Sequence, residues 1–161
     1  YNMIMNAIML EDYQSADSYV NACIYAIENI RKDERINVVH ISKLYGYKAL
    51  CCYYLDDLYT CKIYLSYEKR LLDHILESDE EVDEFGLWYD ELFVYHYVKG
   101  IICIKDELYE MAKEYLDKAL VYSEKAGALR FFSYVRCQIE LARIYLIFEK
   151  KSEAVNSLKK P

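Results

Sequence analysis

The stretch ELARIYLIFEKKSEAVNSL, residues 140–158, decides the fold because it contains two small residues twelve positions apart. Ala142 lies in one run of helical periodicity, and Ala154 follows twelve residues later in a second run. The charged segment EKK (149–151) separates the two runs. Small side chains let two helices approach closely, because the distance between packed helices depends on the side chains at the contact. The stretch therefore predicts an antiparallel helix pair whose chain runs down one helix, around a short turn and back.

Composition favours a chain made almost entirely of helices. Of 161 residues, 55% are hydrophobic, and only four are Gly and one is Pro. β-Sandwiches and barrels need many turn residues, so this composition argues against them. Apolar residues recur three and four positions apart in nearly every segment, which is typical of amphipathic helices. We predict eight helices, at about 2–10, 12–31, 37–55, 57–77, 83–104, 108–125, 128–147 and 151–160.

The twelve-residue spacing of small residues recurs upstream. In VKGIICIKDELYEMAKEYLDKAL (98–120), Gly100 is followed by Ala112, and then by Leu116 and Ala119. Similar pairs are Ile4 with Ala16 and Ala49 with Cys61. An aromatic residue, Tyr13 or Tyr109, stands three positions before the second small residue in two of the four units. The chain therefore reads as one helix pair repeated four times.

This pattern resembles the tetratricopeptide repeat family, whose helix-turn-helix unit carries small residues in both helices. The resemblance implies an all-α fold: an α-solenoid of about four units wound into a right-handed superhelix. The units would span roughly 1–31, 37–77, 83–125 and 128–161. The residues expected to pack the repeats are Ala16, Ala49, Cys61, Gly100, Ala112, Ala119, Ala142 and Ala154. An unrelated helical bundle is the alternative.

Two departures from the family qualify the resemblance. The family's early Trp is replaced by Tyr45, His96 and Gln138 in the last three units. The first small positions (4, 49, 100 and 142) lie 45, 51 and 42 residues apart, whereas the family period is about 34. Such stretched units are similar to those of bacterial signalling regulators, including peptide-pheromone receptors and large ATP-dependent transcription activators.

No catalytic or metal-binding constellation stands out in the sequence. The three histidines, His40, His74 and His96, are isolated, and no H-E-x-x-H motif, phosphate loop or nucleophile elbow occurs. The six cysteines fall in apolar segments without a C-x-x-C pair, which predicts small buried hydrophobic residues in a reducing compartment. We therefore expect a cytoplasmic protein that is not an enzyme, with no catalytic residues, no cofactor and no metal.

Charge and hydropathy limit the classes of partner. The formal net charge of -7 argues against direct nucleic-acid binding, which needs a concentrated basic surface. No segment reaches the roughly 18 uninterrupted apolar residues that a membrane span needs, so we expect no membrane insertion. The chain begins at Tyr1 inside a helical pattern, and we interpret it as a fragment of a longer protein.

The family resemblance implies that the first helix of each unit lines a concave face that binds a protein or peptide. Arg136 and Arg143 are seven residues apart and share a helix face, where they would hold a carboxylate. Pairing of Arg143 with Glu140 inside the helix is the alternative role. The residues expected at the partner surface are Lys43, Tyr47, Tyr53, Tyr54, Tyr97, Arg136 and Arg143.

Three functions fit these features. The first is a non-catalytic scaffold that binds a protein or peptide within a larger intracellular regulator. The second is the ligand- or peptide-sensing domain of a bacterial transcription regulator whose DNA-binding part lies outside this segment. The third is a self-association module that forms a homo-oligomer through exposed ends of the repeat array.

Overall fold

The computed structural model describes residues 2–29, 34–77, 87–126 and 131–159. Within these ranges the chain forms helices and the turns between them, and no residue lies in a strand. The prediction of an all-α fold is confirmed. The helices are α1 (Asn2–Met9), α2 (Tyr13–Asn29), α3 (Glu34–Tyr54), α4 (Leu58–Glu77), α5 (Leu87–Lys105), α6 (Tyr109–Lys125), α7 (Phe131–Ile147) and α8 (Lys151–Lys159).

The chain forms two compact units, Tyr1–Glu80 and Glu81–Pro161. In the first unit α1 packs on α2, α2 on α3 and α3 on α4. The second unit repeats this order with α5 to α8. Each unit therefore contains two helical hairpins that meet through its two middle helices. We number these hairpins one to four along the chain.

The helix bounds follow the sequence periodicity closely, with one informative difference. Helix α3 begins at Glu34, three residues before the predicted start. The polar segment RKDER (31–35) suggested a break there, but its last two residues belong to the helix. An acidic residue is favourable in a first helical turn, because it lies near the positive end of the helix dipole. The predicted helix starts at 83 and 128 lie outside the described residues.

All four hairpin turns have the same backbone geometry. In the first turn, the N–H of Asp12 donates to the carbonyl of Ala7 (2.9 Å) and the N–H of Glu11 donates to that of Ile8 (3.1 Å). This pair of bonds defines a Schellman motif, and it recurs at the other three turns. The residue in the left-handed conformation is Glu11 (φ 59°), Asp56 (63°), Glu107 (59°) or Glu149 (58°). Four acidic residues thus hold a conformation that glycine adopts more easily, at a cost of roughly 1 kcal/mol each.

The Schellman turn explains the twelve-residue spacing. Each left-handed residue lies seven positions after the first small position and five before the second. The second small positions are buried: Ala16, Cys61 and Ala112 are 0% exposed and Ala154 is 3% exposed. The first small positions, Ile4, Ala49, Gly100 and Ala142, are buried as well, and so is Ala119. The turn therefore places two buried positions across from each other in every hairpin.

Aspartates cap the second helices of the first unit. The Oδ1 of Asp12 accepts a hydrogen bond from the N–H of Ser15, and that of Asp57 accepts one from Thr60, both at 3.0 Å. Hydrogen bonds from the side chains of Ser15 and Thr60, together with these backbone bonds, hold the pKa of each carboxyl below its ordinary value. At the equivalent place in the third hairpin, Leu108 makes no side-chain cap. Both turns of the first unit therefore have a side-chain cap, whereas backbone hydrogen bonds alone hold the turn of the third hairpin.

The two helices of the third hairpin approach each other closely at Gly100. A Cβ added to Gly100 would lie 2.8 Å from the Cγ of Leu116 and 2.9 Å from its Cδ2. Leu116 is fully buried, so its side chain has little room to move away. Glycine is therefore required here by the packing of α5 on α6, not by its backbone conformation.

We expect Gly100→Ala to lower the free energy of unfolding, because overpacking costs about 1–3 kcal/mol and outweighs the roughly 1 kcal/mol that alanine gains in a helix. In a Leu116→Ala background the clash is gone, so the same substitution should raise stability. Urea unfolding of the four proteins measures this coupling. An equal effect of Gly100→Ala in both backgrounds would contradict the close approach.

Candidate functional site

One of the α3 residues expected at the partner surface, Tyr54, joins the first two hairpins. The ring of Tyr54 stacks on Tyr13 of α2, with centroids 4.2 Å apart. Tyr53 meets Tyr54 edge to face at 5.2 Å. Tyr53, Tyr54 and Lys43 are half-buried, and Tyr47 is only 2% exposed. Most of this aromatic surface is therefore used within the first unit.

Beside this stack lies an ion pair that the sequence did not predict. The Nζ of Lys48 lies 2.6 Å from the Oδ1 of Asp17, and their side chains are 12% and 20% exposed. Lys48 directly precedes the small residue of α3, and Asp17 directly follows the small residue of α2. The signal in the sequence was the unexpected lysine beside a small position. Its partner could be identified only once the packing of α2 on α3 was known.

Three of the groove positions of α5 are buried. Tyr97 is 3% exposed, and the neighbouring positions Val94 and Ile101 are 7% and 2% exposed. The ring of Tyr97 stacks on Phe93, with centroids 5.6 Å apart. We expected Tyr47 and Tyr97 to face a partner, but the structure packs both rings inside the protein. They have almost no accessible surface to offer.

Helix α7 does present an accessible surface. Ile139 and Leu146 are 39% and 57% exposed, and the side chain of Arg143 between them is 66% exposed. Arg136 is half-buried one turn earlier. Residues three and four apart share one side of a helix, so these four form a continuous stripe. We call the surface of Arg136, Ile139, Arg143 and Leu146 the α7 face.

Arg143 is oriented by a neighbour on its own helix. Its Nη1 donates to the Oε1 of Glu140 at 2.8 Å, and the Glu140 side chain is 16% exposed. An ion pair with so exposed a partner contributes little stability, about 0–1 kcal/mol. The guanidinium carries five N–H donors, so this contact leaves it able to meet a second carboxylate. Pairing within the helix and binding of a partner are thus compatible.

The side chain of His96 packs among aromatic rings. Its Nδ1 lies 2.8 Å from the carbonyl of Leu92, a distance that suits donation from the neutral ring. The rings of Tyr95, Tyr115 and Tyr122 surround it, with centroids 5.1 to 6.1 Å away. Burial lowers the pKa of His96, and the charge of Lys118 lowers it further. The histidine is therefore held neutral inside an aromatic cluster.

This burial predicts a pH-dependent stability. Since the folded pKa lies below the unfolded value of about 6.5, the unfolded chain binds more protons, and the free energy of unfolding falls as the pH drops below that value. Wild type should lose more stability between pH 7.5 and pH 5.5 than His96→Gln does. His74→Gln, which removes an exposed histidine, is the matched control. Equal losses in all three proteins, measured by urea unfolding, would contradict this environment.

The cysteines are mostly buried, and their thiols are poor nucleophiles. All six are unbridged, and five of them are buried. Burial raises the pKa of Cys51 and Cys61 to about 12 and that of Cys52 to about 11. The pKa of Cys137 is raised as well, and its Sγ lies 3.4 Å from the carbonyl of Leu116. Since the thiolate is the nucleophile, these thiols are poor candidates for catalysis.

Surface cavities lie among the described residues of the first unit. One, of about 290 Å³, is lined by Tyr45, Tyr67, Arg70, Leu71 and His74. The other, of about 550 Å³, lies between α1 and α2 and is lined by Asn2, Met3, Ile4, Tyr19, Ala22 and Cys23. The first combines an arginine with tyrosine rings, a combination that suits a small anionic group. The second is predominantly apolar.

Two negative findings apply to the part of the chain that the structure describes. No cluster of three or more His, Cys, Asp or Glu residues there could hold a metal ion. No helix there is both long and apolar enough to cross a membrane.

Comparison with known proteins finds one distant relative. The chain is 30% identical over 95 residues to the uncharacterized protein ycf37 of Cyanophora paradoxa. The aligned region covers 59% of this chain and 46% of ycf37, so the chain spans about half the length of the curated relative it matches. No family profile matches the chain. No solved structure matches it either.

Proposed function

We propose that this protein is a non-catalytic scaffold of the tetratricopeptide repeat type, which binds a protein or peptide partner on the α7 face. The observation that carries the proposal is the contrast between first helices. Most of the positions expected to line a groove are buried or half-buried on α3 and α5, whereas three of the four on α7 are exposed. A partner would therefore meet α7 and not a continuous groove.

The repeat geometry supports membership of that family. Four hairpins share one turn, one left-handed position and one pair of buried small positions. This regularity is what a repeat protein requires, because each unit packs in the same way as its neighbours. Unbridged, buried cysteines suit a reducing compartment such as the cytoplasm.

Exposed apolar area on the α7 face supports partner binding. Ile139 and Leu146 lie on the same side of the helix, seven residues apart, and both present apolar atoms to solvent. A ligand that covers both gains about 25 cal/mol for each Å² of apolar surface removed from water. An amphipathic helix would bind such a stripe through apolar residues three, four and seven positions apart.

The charge on the α7 face indicates which polar group a partner should carry. Helix α7 carries Arg136 and Arg143 and one acidic residue, Glu140, in a chain with a net charge of -7. An arginine binds a carboxylate through two parallel hydrogen bonds, and its planar shape gives that contact direction. The partner chemistry that fits is thus a helix or peptide with apolar anchors and an adjacent carboxylate.

Site-specific photocrosslinking in source cells tests this proposal. A benzophenone amino acid at position 146 should capture a partner through the α7 face. The same group at position 121 is the matched control, because Val121 on α6 is exposed to a similar degree, 49% against 57%. Arg143→Glu should reduce the adduct by about tenfold or more, since losing one charged contact costs at least about 1.4 kcal/mol.

Three outcomes are informative. An adduct that forms at position 146, is absent at 121 and is lost with Arg143→Glu supports the scaffold. Identical adducts at both positions, or none at 146, contradict binding at the α7 face. An adduct that survives Arg143→Glu rejects the carboxylate part of the proposal and leaves only apolar recognition.

A further inference from the structure

The cavity of about 290 Å³ in the first unit combines aromatic rings with basic side chains. It is lined by Tyr45 of α3 and by Tyr67, Arg70, Leu71 and His74 of α4. The four α4 residues stand at helical spacing, so they share one side of that helix. We call this space the α4 cavity.

Mutually packed rings form one wall of the α4 cavity. The ring centroid of Tyr45 lies 5.5 Å from that of Tyr64 and 5.7 Å from that of Tyr67. Tyr64 also meets Tyr67 edge to face at 5.9 Å. Tyr45 and Tyr64 are half-buried, whereas Tyr67 is 43% exposed. Because the three rings already contact one another, a ligand that binds there has few side chains to order.

The two basic side chains of the α4 cavity have no hydrogen-bond or ion-pair partner in the part of the chain that the structure describes. Arg70 and His74 are both exposed and stand one helical turn apart. Asp73, the acidic residue three positions after Arg70, pairs with Lys69 instead. All N–H donors of the Arg70 guanidinium are therefore available to an anionic group.

The second and third hairpins share the contacts that border this space. Tyr45 and His96 each stand four residues before the first small position of their hairpin. Tyr64 and Tyr115 each stand three residues after the second small position. The ring of Tyr45 lies 5.5 Å from Tyr64, and that of His96 lies 6.1 Å from Tyr115. The two hairpins can therefore be compared position by position on this side.

A ring fills this space in the third hairpin. Tyr122, ten residues after the second small position, lies 5.1 Å from the ring of His96 and stacks on Tyr89 at 6.3 Å. Leu71 occupies the position of Tyr122 in the second hairpin, and there it lines the α4 cavity. The second hairpin thus has a smaller side chain where the third has a ring, and space remains beside Tyr45.

The charges around the α4 cavity give it a direction. Burial raises the pKa of the Tyr45 phenol, and the negative charge of Glu28 raises it further. The phenol is therefore protonated at neutral pH and can donate a hydrogen bond. Glu28 acts on Tyr45, so it disfavours an anion at that end of the cavity. An anionic group is favoured at the other end, beside Arg70 and His74.

We propose that the α4 cavity binds a small aromatic carboxylate, with its ring against Tyr45 and Tyr67 and its carboxylate on Arg70. The ligand's ring would take the place that a tyrosine ring fills in the third hairpin. An arginine binds a carboxylate through two parallel hydrogen bonds, and His74 can add an N–H donor. Aromatic rings gain further from offset or edge-to-face contact with one another.

The size of the α4 cavity limits the ligand. Sites for small molecules occupy about 300–1,000 Å³, and this one, at about 290 Å³, is at the lower end. It suits a single ring system with a short carboxylate arm. The site lies in the first unit, apart from the α7 face, and it does not depend on the proposed function.

Isothermal titration calorimetry of the whole chain with four probe compounds tests the proposal. Phenylacetate and indole-3-acetate carry a ring and a carboxylate, phenylacetamide keeps the ring without the charge, and inorganic phosphate is an anion without a ring. Both carboxylates should bind saturably at one site per chain. Phenylacetamide and phosphate should bind at least about tenfold more weakly, because each lacks one of the two contacts.

Three variants locate the binding. Arg70→Gln should weaken phenylacetate binding by about tenfold or more, since it removes the charged contact. Leu71→Tyr should abolish binding, because it gives the second hairpin the ring that fills the third. Arg143→Gln is the matched control, an equal loss of charge at an exposed arginine of the second unit, and should bind like wild type. If circular dichroism shows that Leu71→Tyr does not fold, Tyr67→Ala replaces it and should weaken binding by removing part of the aromatic wall.

Several outcomes would overturn the proposal. Wild type that binds neither carboxylate saturably excludes the site. Binding that survives both Arg70→Gln and Leu71→Tyr places the ligand elsewhere on the chain. Phenylacetamide that binds as tightly as phenylacetate contradicts the role of Arg70, and phosphate that binds as tightly contradicts the role of the rings.

Discussion

The packing of two helices at paired buried positions is the constraint on which every hairpin depends. Small residues fill these positions in three of the hairpins, and Ile4 fills one of them in the first. Where Gly100 of α5 meets Leu116 of α6, even a methyl group would overlap. The approach requires the chain to reverse within three residues and to return in a fixed rotational phase. A Schellman turn with one left-handed residue achieves this in all four hairpins, although the residue is acidic each time. The stability gained by burying both small positions must outweigh the strain of that conformation.

The same constraint decides which surfaces can serve for recognition. In the first unit, Lys48 and Asp17, each beside a small position, pair with each other where the two hairpins meet. Tyr54 and Lys48 are used there, and Tyr97 is buried inside the protein. Accessible apolar side chains remain on several helices, and those of α7 carry the surface that we propose for partner binding.

Much of the fold was predictable from the sequence. Apolar residues at helical spacing indicated the eight helices, and the pairs of small residues indicated the hairpins. The turns were less visible, because Glu107 and its counterparts are not glycines, and only backbone bonds reveal the left-handed position. The candidate site was predicted less well. Periodicity shows which side of a helix a tyrosine lies on, but it does not show what covers that side, so Tyr47 and Tyr97 were assigned to a surface and lie in the core.

Backbone NMR tests the shared hairpin geometry most directly, since chemical shifts report the sign of φ residue by residue. The account predicts positive φ at Glu11, Asp56, Glu107 and Glu149, with helical shifts on both sides of each. Helical, negative φ at any of these positions would mean that the chain continues as one helix there. The twelve-residue spacing would then lose its structural meaning.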